Sequence, residues 1–250
     1  MKLKLLSAVI GLASFSVLAN AQSSTYQGEV FAGYGETDDA LDSSAYAVGG
    51  AFYFSPVNTK NHPLAEAAFL EKSSNIYALV GSQTNDLFDV DFQSVGAEFY
   101  IPNSIFYAGL GVTRAKADGG SWDSQWNASL GVTPIDGLLV WTSFYEDVDY
   151  SDYINLNAKY VMSLGGEQAL NIEGSFADAD GGEEFGIAAD YYIDRNLSIG
   201  TAYSYVNADE DIKDFTVRAR QFFTNSLSFD LSYTFGDQDD SWGIGASYRF

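Results

Sequence analysis

The sequence contains no cysteine, a single histidine, four prolines and only twelve Lys and Arg among 250 residues. Without cysteine there is no disulfide framework, no thiolate metal site and no cysteine nucleophile, and a lipoprotein anchor is excluded as well. One histidine, His62, excludes most histidine-based zinc sites and leaves little room for His-dependent catalysis. The bases are opposed by 34 Asp and Glu, giving a formal charge of -22. Such a polyanion has no basic surface from which nucleic acid could release counterions. What is abundant is aromatic: 16% of residues, chiefly 18 Phe and 17 Tyr. Disordered acidic chains are poor in aromatics, so this one folds. The length suits one large domain or two small ones, with enough chain to bury a core.

Residues 1–21 read as an export address. Lys2 and Lys4 give a positive start, Leu5 to Leu18 are apolar or small, and Ala19-Asn20-Ala21 fits the small-x-small cleavage pattern. The apolar stretch is shorter than the roughly 20 residues of a spanning helix. Cleavage after Ala21 would start the exported chain at Gln22 and, removing two lysines and no acid, take the charge from -22 to -24. The domain reading is therefore a signal peptide over 1–21 and one folded unit over 22–250.

From Thr25 onward apolar and small or polar residues alternate. Leu227, Phe229, Leu231, Tyr233 and Phe235 oppose Ser228, Asp230, Ser232 and Thr234; Phe185, Ile187, Ala189 and Tyr191 oppose Glu184, Gly186, Ala188 and Asp190. Period two is the signature of a strand, whose successive side chains point to opposite faces. Two kinds of connection take turns. Acidic ones span 36–43, 83–86, 117–121, 146–152, 178–182, 207–211 and 237–240; short turn-like ones span 56–63, 102–104, 134–137, 163–168, 194–196 and 224–226. Together they join about fourteen strands, with 12–16 admissible, and place both termini on one side. The predicted strands are 25–35, 44–54, 64–82, 88–101, 104–116, 122–133, 138–147, 151–162, 169–177, 183–193, 197–206, 212–222, 227–236 and 241–250. In the third, 71–75 also admits a turn, which would change the count. The fourth shifts parity near Gln93-Ser94, as a bulge would cause.

Parity alone does not say which face meets water. Segment lengths near the 9–11 residues of a tilted membrane strand, aromatics such as Trp122, Tyr191, Tyr203, Tyr205 and Trp242 near segment ends, and a chain that stops on a strand ending in Phe250 all favour a transmembrane antiparallel up-and-down β-barrel, all-β, with both termini periplasmic. Trp242, Ile244, Ala246, Tyr248 and Phe250 alternate to an aromatic last residue. This resembles the C-terminal recognition strand by which outer-membrane proteins engage the barrel-insertion machinery.

On that strand, on His62–Leu70, and on the glycine- and aromatic-rich runs Gly28–Gly35 and Ala47–Phe54, the chain resembles small gammaproteobacterial porin-like proteins of the outer membrane. The resemblance implies passive diffusion of small hydrophilic solutes. No outer loop is long enough to be an obvious constriction loop and the strand count is lower than in large trimeric general porins, so monomer and trimer both stay open and a homo-oligomer is one of the expected states.

If the apolar parity faces lipid, Arg218, Arg220, Arg249, Lys159, Glu66, Glu98, Glu173, Asp190 and Asp230 line the pore. Glu29, Asp89, Asp91, Asp123 and Asp214 join them. An Arg facing lipid at the midplane would cost roughly 2–4 kcal/mol, whereas in a wet lumen it costs little. Fourteen strands lie nearer the open 16–18-stranded channels than the filled eight-stranded barrels. The expected transverse field sets the Arg218, Arg220, Arg249 stripe against Glu66 and Glu98, with modest cation preference overall. The alternative is a non-conducting structural or surface-binding barrel, its acidic loops meeting lipopolysaccharide, cations, phage or host. Asp178-Ala179-Asp180-Gly181-Gly182-Glu183-Glu184 lacks the full EF-hand pattern, so no metal site is assigned. A hydrolase would need a histidine at the outer rim, and His62 falls in a periplasmic turn, so neither enzyme nor cofactor is expected. The expected partners are outer-membrane lipid, lipopolysaccharide, the insertion machinery and small solutes or ions.

Overall fold

The structure, a computed structural model, describes residues 24–38, 42–146, 148, 153–179, 182–207 and 211–250. Fourteen strands run in order: β1 Thr25–Asp38, β2 Ser43–Asn58, β3 Asn75–Thr84, β4 Asp89–Tyr100, β5 Phe106–Ala117, β6 Asp123–Val132, β7 Leu138–Tyr145, β8 Tyr153–Gly165, β9 Gln168–Ala179, β10 Gly182–Tyr192, β11 Leu197–Asn207, β12 Ile212–Phe222, β13 Leu227–Gly236 and β14 Asp240–Arg249. Each pairs antiparallel with its sequence neighbours, and β1 closes on β14 from Glu29↔Arg249 to Asp38↔Asp240, so no edge is left exposed. At the seam, Gln27 and Gly28 both donate their N–H to the Phe250 carbonyl, and the Phe250 N–H donates to Gly28 O at 2.9 Å. Residues 24 and 250 thus share one mouth, called here the terminal mouth.

The alternation is expressed as an inside and an outside. Outward residues form a continuous apolar band that includes Val48, Val80, Val95, Leu110, Leu130, Leu156, Ile199 and Leu231, each about half exposed. Aromatics flank this band at both ends. Phe54 stacks near Phe99 (5.8 Å) and Phe223 meets Phe229 (5.6 Å) toward the terminal mouth. Tyr34 with Trp242 (5.8 Å) and Phe215 with Phe235 (6.4 Å) lie toward the other. An apolar waist between aromatic girdles is the outer surface that lipid demands. Trp242, Ile244 and Phe250 belong to this exposed surface, whereas Tyr248, on the same parity, is 4% exposed.

Two predictions for the wall are corrected. The third predicted strand, 64–82, is not one element: Leu64–Glu66 is a 3-10 turn, Ala67–Leu70 a short helix (α1), and β3 begins only at Asn75. The expected bulge near Gln93-Ser94 is also absent. The β3–β4 register runs unbroken from Asn75↔Glu98 to Thr84↔Asp89. With no parity switch, Asp89 and Asp91 stay exposed outside, and Val90 and Phe92, 6% and 2% exposed, turn inward. Space for Phe92 comes from Gly81 opposite, where a Cβ would collide with the ring. Register shifts occur instead at Tyr26/Gly28 and at Ser163/Gly165. The first faces the stretch of β2 that contains Pro56, which cannot donate to a ladder.

Candidate functional site

The lumen is shaped by the segment between β2 and β3, which folds back into the terminal mouth as a plug. Its chemistry begins at Pro63, whose ring is tolerated at a helix start. The seven residues that follow, Leu-Ala-Glu-Ala-Ala-Phe-Leu, contain no β-branched side chain and are good helix formers apart from Phe69. The helix stops at Lys72, which adopts φ 50° while Ser73 N–H reaches Ala68 O at 2.9 Å and Lys72 N–H reaches Phe69 O at 3.0 Å, closing the last turn. Ala67 packs into a buried apolar cluster with Tyr26, Tyr53 and Val57, flanked by Ala51 and Ala68. Leu64 and Ala67 are fully buried.

Polar ties hold the plug across the barrel. Arg195, in the β10–β11 turn, donates to the carbonyls of His62 (3.1 Å) and Thr59, and its own carbonyl accepts from Leu64 N–H at 2.8 Å. Arg249 donates Nη1 to Leu64 O at 2.6 Å. Glu66, 5% exposed, accepts from Tyr192 OH at 2.6 Å and pairs with Lys159 Nζ at 2.9 Å. His62 pairs with Glu71 at 2.8 Å near the surface.

From the plug a belt of ion pairs runs along the inner wall of β8–β14 and on to β1. Lys159 bridges Glu66 and Glu173, each at 2.9 Å. Asn171 donates to Glu173 (2.8 Å) and to Asp190 (3.0 Å). Asp190 receives Arg218 through two parallel bonds of 2.7 Å, a fork-to-carboxylate match. Arg220 pairs with Asp230. Arg249 pairs with Glu29 at 2.5 Å, and its guanidinium lies between the rings of Tyr26 (4.5 Å) and Phe222 (4.7 Å). Small residues opposite the long ones make room: Gly200 lies beside Asp190, where a Cβ would strike the carboxylate.

Between the plug and the β2–β8 wall lies a cavity of about 390 Å³ whose lining includes Phe69, Asn75, Tyr77, Glu98, Tyr100, Tyr107, Asn127, Ser129, Trp141 and Lys159. Glu98 is held by Asn75 Nδ2 at 2.9 Å and Tyr107 OH at 2.8 Å. Among the described residues, no Lys or Arg pairs with it.

All nine residues expected to line a pore fall on the inner wall or on the plug, but not in the expected relation. Arg218, Arg220 and Arg249 were expected to face Glu66 and Glu98 across the lumen. Instead each is neutralised by an acid on a nearby strand (Asp190, Asp230 and Glu29), and the carboxylate of Glu66 is taken by Tyr192 and Lys159. Glu66 reaches the lumen from the plug and not from a strand. Adjacent strands 4.7–4.9 Å apart let long side chains meet along the wall, a shorter path than across it. Sequence reasoning missed Tyr192, Asn171, Arg195 and the aromatic side of the cavity. In β7 both parities are apolar at Leu138-Leu139-Val140-Trp141, so period two does not reveal that Leu139 and Trp141 are the inward pair.

No group of three or more potential ligands capable of holding a metal occurs among the described residues. Asp180 and Gly181 of the calcium-like run, residues 1–21 with the Ala21 cleavage site, and parts of four acidic connections lie outside those residues.

The chain matches the family described as "Putative general bacterial porin" over residues 1–140 and again over 118–250. No curated protein sequence matches it. Among solved structures it is similar to the Acinetobacter baumannii outer membrane protein Omp33, at 20% identity and a TM-score of 0.75, over 92% of this chain and 100% of that one. It is also similar to a low-pH structure of Pseudomonas putida OprB, at 10% identity and a TM-score of 0.50, over 90% and 92% of the two chains.

Proposed function

This chain belongs to that general bacterial porin family, and we propose that it is an outer-membrane diffusion channel for small hydrophilic solutes with a modest preference for cations. The observation that carries this reading is a polar and aromatic cavity of about 390 Å³ beside the plug within a closed fourteen-strand wall. The nine inner residues named from sequence act as pore-lining groups. Around the plug, the belt and the cavity, six acids (Glu29, Glu66, Glu98, Glu173, Asp190, Asp230) outnumber four bases (Lys159, Arg218, Arg220, Arg249), Asp123 and Asp214 add to the acids on the same parity, and the negative excess sits between low-dielectric walls that focus its field. Planar-bilayer recording of refolded protein tests the reading. Stable channel steps in KCl support it; a silent, correctly folded barrel overturns it and favours the structural or surface-binding alternative.

Export ends with cleavage after Ala21, leaving Gln22 as the first residue, and the termini lie in the periplasm. Trp242, Ile244, Tyr248 and Phe250 serve as the assembly signal read by the insertion machinery. Lipid and lipopolysaccharide surround the apolar band and the acidic connections. A role as an enzyme finds no support in residue chemistry, since the one histidine pairs with Glu71 at the terminal mouth.

A further inference from the structure

The cavity beside the plug differs in chemistry from the rest of the inner wall, and we propose that it is a selectivity site for small organic cations: a protonated amine or guanidinium on a short apolar stem, with Glu98 as its anion. This rests on the channel reading above and adds a solute class to it.

Three observations converge. Along β8–β14 and β1 the carboxylates of the belt, Glu66, Glu173, Asp190, Asp230 and Glu29, are each joined to Lys159 or to an arginine, while Asp214, toward the other mouth, meets Ser204. Glu98 is joined only to neutral donors, Asn75 and Tyr107, one on each oxygen. A carboxylate oxygen has room for a further donor, so Glu98 is positioned by its partners without being neutralised or saturated.

Aromatic rings line the same cavity as this carboxylate. Tyr100 and Tyr107 tilt against each other at 5.1 Å, and Tyr77, Trp141 and Phe69 complete the wall. Tyr77 lies flat because Gly96 and Gly111 face it: its hydroxyl is 3.3 Å from where a Cβ on Gly111 would stand. Glycine at these positions keeps the ring against the wall and the passage clear. A carboxylate among π-faces suits a cation with apolar substituents, which sheds hydration cheaply and gains from both. Strongly hydrated K⁺ gains less, and anions are repelled.

The cavity already contains this chemistry in covalent form. Lys159, an ammonium on a four-carbon stem, places Nζ between the carboxylates of Glu66 and Glu173 and 5.2 Å from the ring centre of Phe69. The carboxylate of Glu98 and the rings of the cavity offer a free solute what Lys159 finds on the plug side. A volume of about 390 Å³ is at the scale of small-molecule sites.

The test is single-channel recording of the full-length refolded protein in KCl, with n-butylammonium chloride or maltose added. Wild type is expected to show brief, voltage-dependent interruptions with millimolar n-butylammonium and none with maltose. Glu98→Gln, which retains an oxygen for Asn75 or Tyr107, should shorten the interruptions several-fold. Trp141→Leu, which leaves Glu98 in place, should shorten them less. Heat-modifiable migration of each variant verifies the barrel. Normal KCl steps with no n-butylammonium interruptions, or interruptions unchanged in Glu98→Gln, would overturn the cation site and leave the channel reading intact. Interruptions by maltose that persist in Glu98→Gln would overturn it in favour of a sugar site. Absence of KCl steps in the folded wild type would overturn the channel reading itself.

Discussion

The two sides of the lumen solve the same problem in opposite ways. On β8–β14 and β1 charged side chains are long, numerous and closed upon one another: Arg218 on Asp190, Arg220 on Asp230, Arg249 on Glu29. On β3–β7 charge is sparse, aromatic rings lie against glycines, and one carboxylate, Glu98, has no cation beside it. The difference teaches that charge on an inner wall can serve to tie the wall together and anchor the plug. On the proposed channel reading, solutes pass where pairing is incomplete.

Each expected effect probes this contrast, beginning with the largest. Deleting Phe250 removes the seam contacts with Gln27 and Gly28 and the last residue of the assembly strand, so both sides are lost together. Outer-membrane levels of heat-modifiable protein should fall to a small fraction of wild type, with degradation in the periplasm; unchanged levels would contradict the assembly role. Replacing 61–72 by a short Gly/Ser turn removes the plug but leaves the wall, and single-channel conductance should rise several-fold as the lumen opens at the terminal mouth.

Lys159→Met cuts the tie between belt and plug while keeping the stem. It leaves Glu66, 7% exposed at its side chain, and Glu173 without their cation. Removing one partner of a buried pair costs roughly 3–5 kcal/mol, and lumen water should hold the loss near the bottom of that range. Denaturant unfolding of the refolded barrel in detergent measures it. Arg218→Ser with Arg220→Ser uncovers Asp190 and Asp230 on the paired side. Those arginine side chains are 35% and 27% exposed, so the stability loss is smaller, about 1–2 kcal/mol. Cation preference in a KCl gradient should increase, and more at low salt than at high, since a Debye length of about 10 Å at 0.1 M shrinks with added salt.

Much of the wall was legible in the sequence because period two is a local signal. The strand count, the shared mouth for both termini and the inward placement of Arg218, Arg220, Arg249, Lys159, Glu98, Glu173, Asp190 and Asp230 follow from parity. The plug was not legible in a search for strands, although its helix formers after Pro63 and the lack of β-branched residues before Ile76 mark a turn of helix. Parity failed at Val90 and Phe92, where apolar residues turn inward because Gly81 leaves a hole. Pairing partners were hidden for a different reason. Arg218 meets Asp190 from two strands away, over the intervening Gly200, and that depends on register, which alternation does not specify.

The absence of cysteine allows the central claim, that solutes pass on the β3–β7 side, to be tested with single cysteines. Ser129→Cys lies in the wall of the cavity, and Ser228→Cys lies on the paired side where the native residue is 0% exposed. Exposure of each refolded channel to a cationic methanethiosulfonate reagent during recording should reduce the current through Ser129→Cys in lasting steps and leave Ser228→Cys unchanged. Reaction and block at Ser228→Cys, with Ser129→Cys unaffected, would place the passage on the paired side and contradict the account.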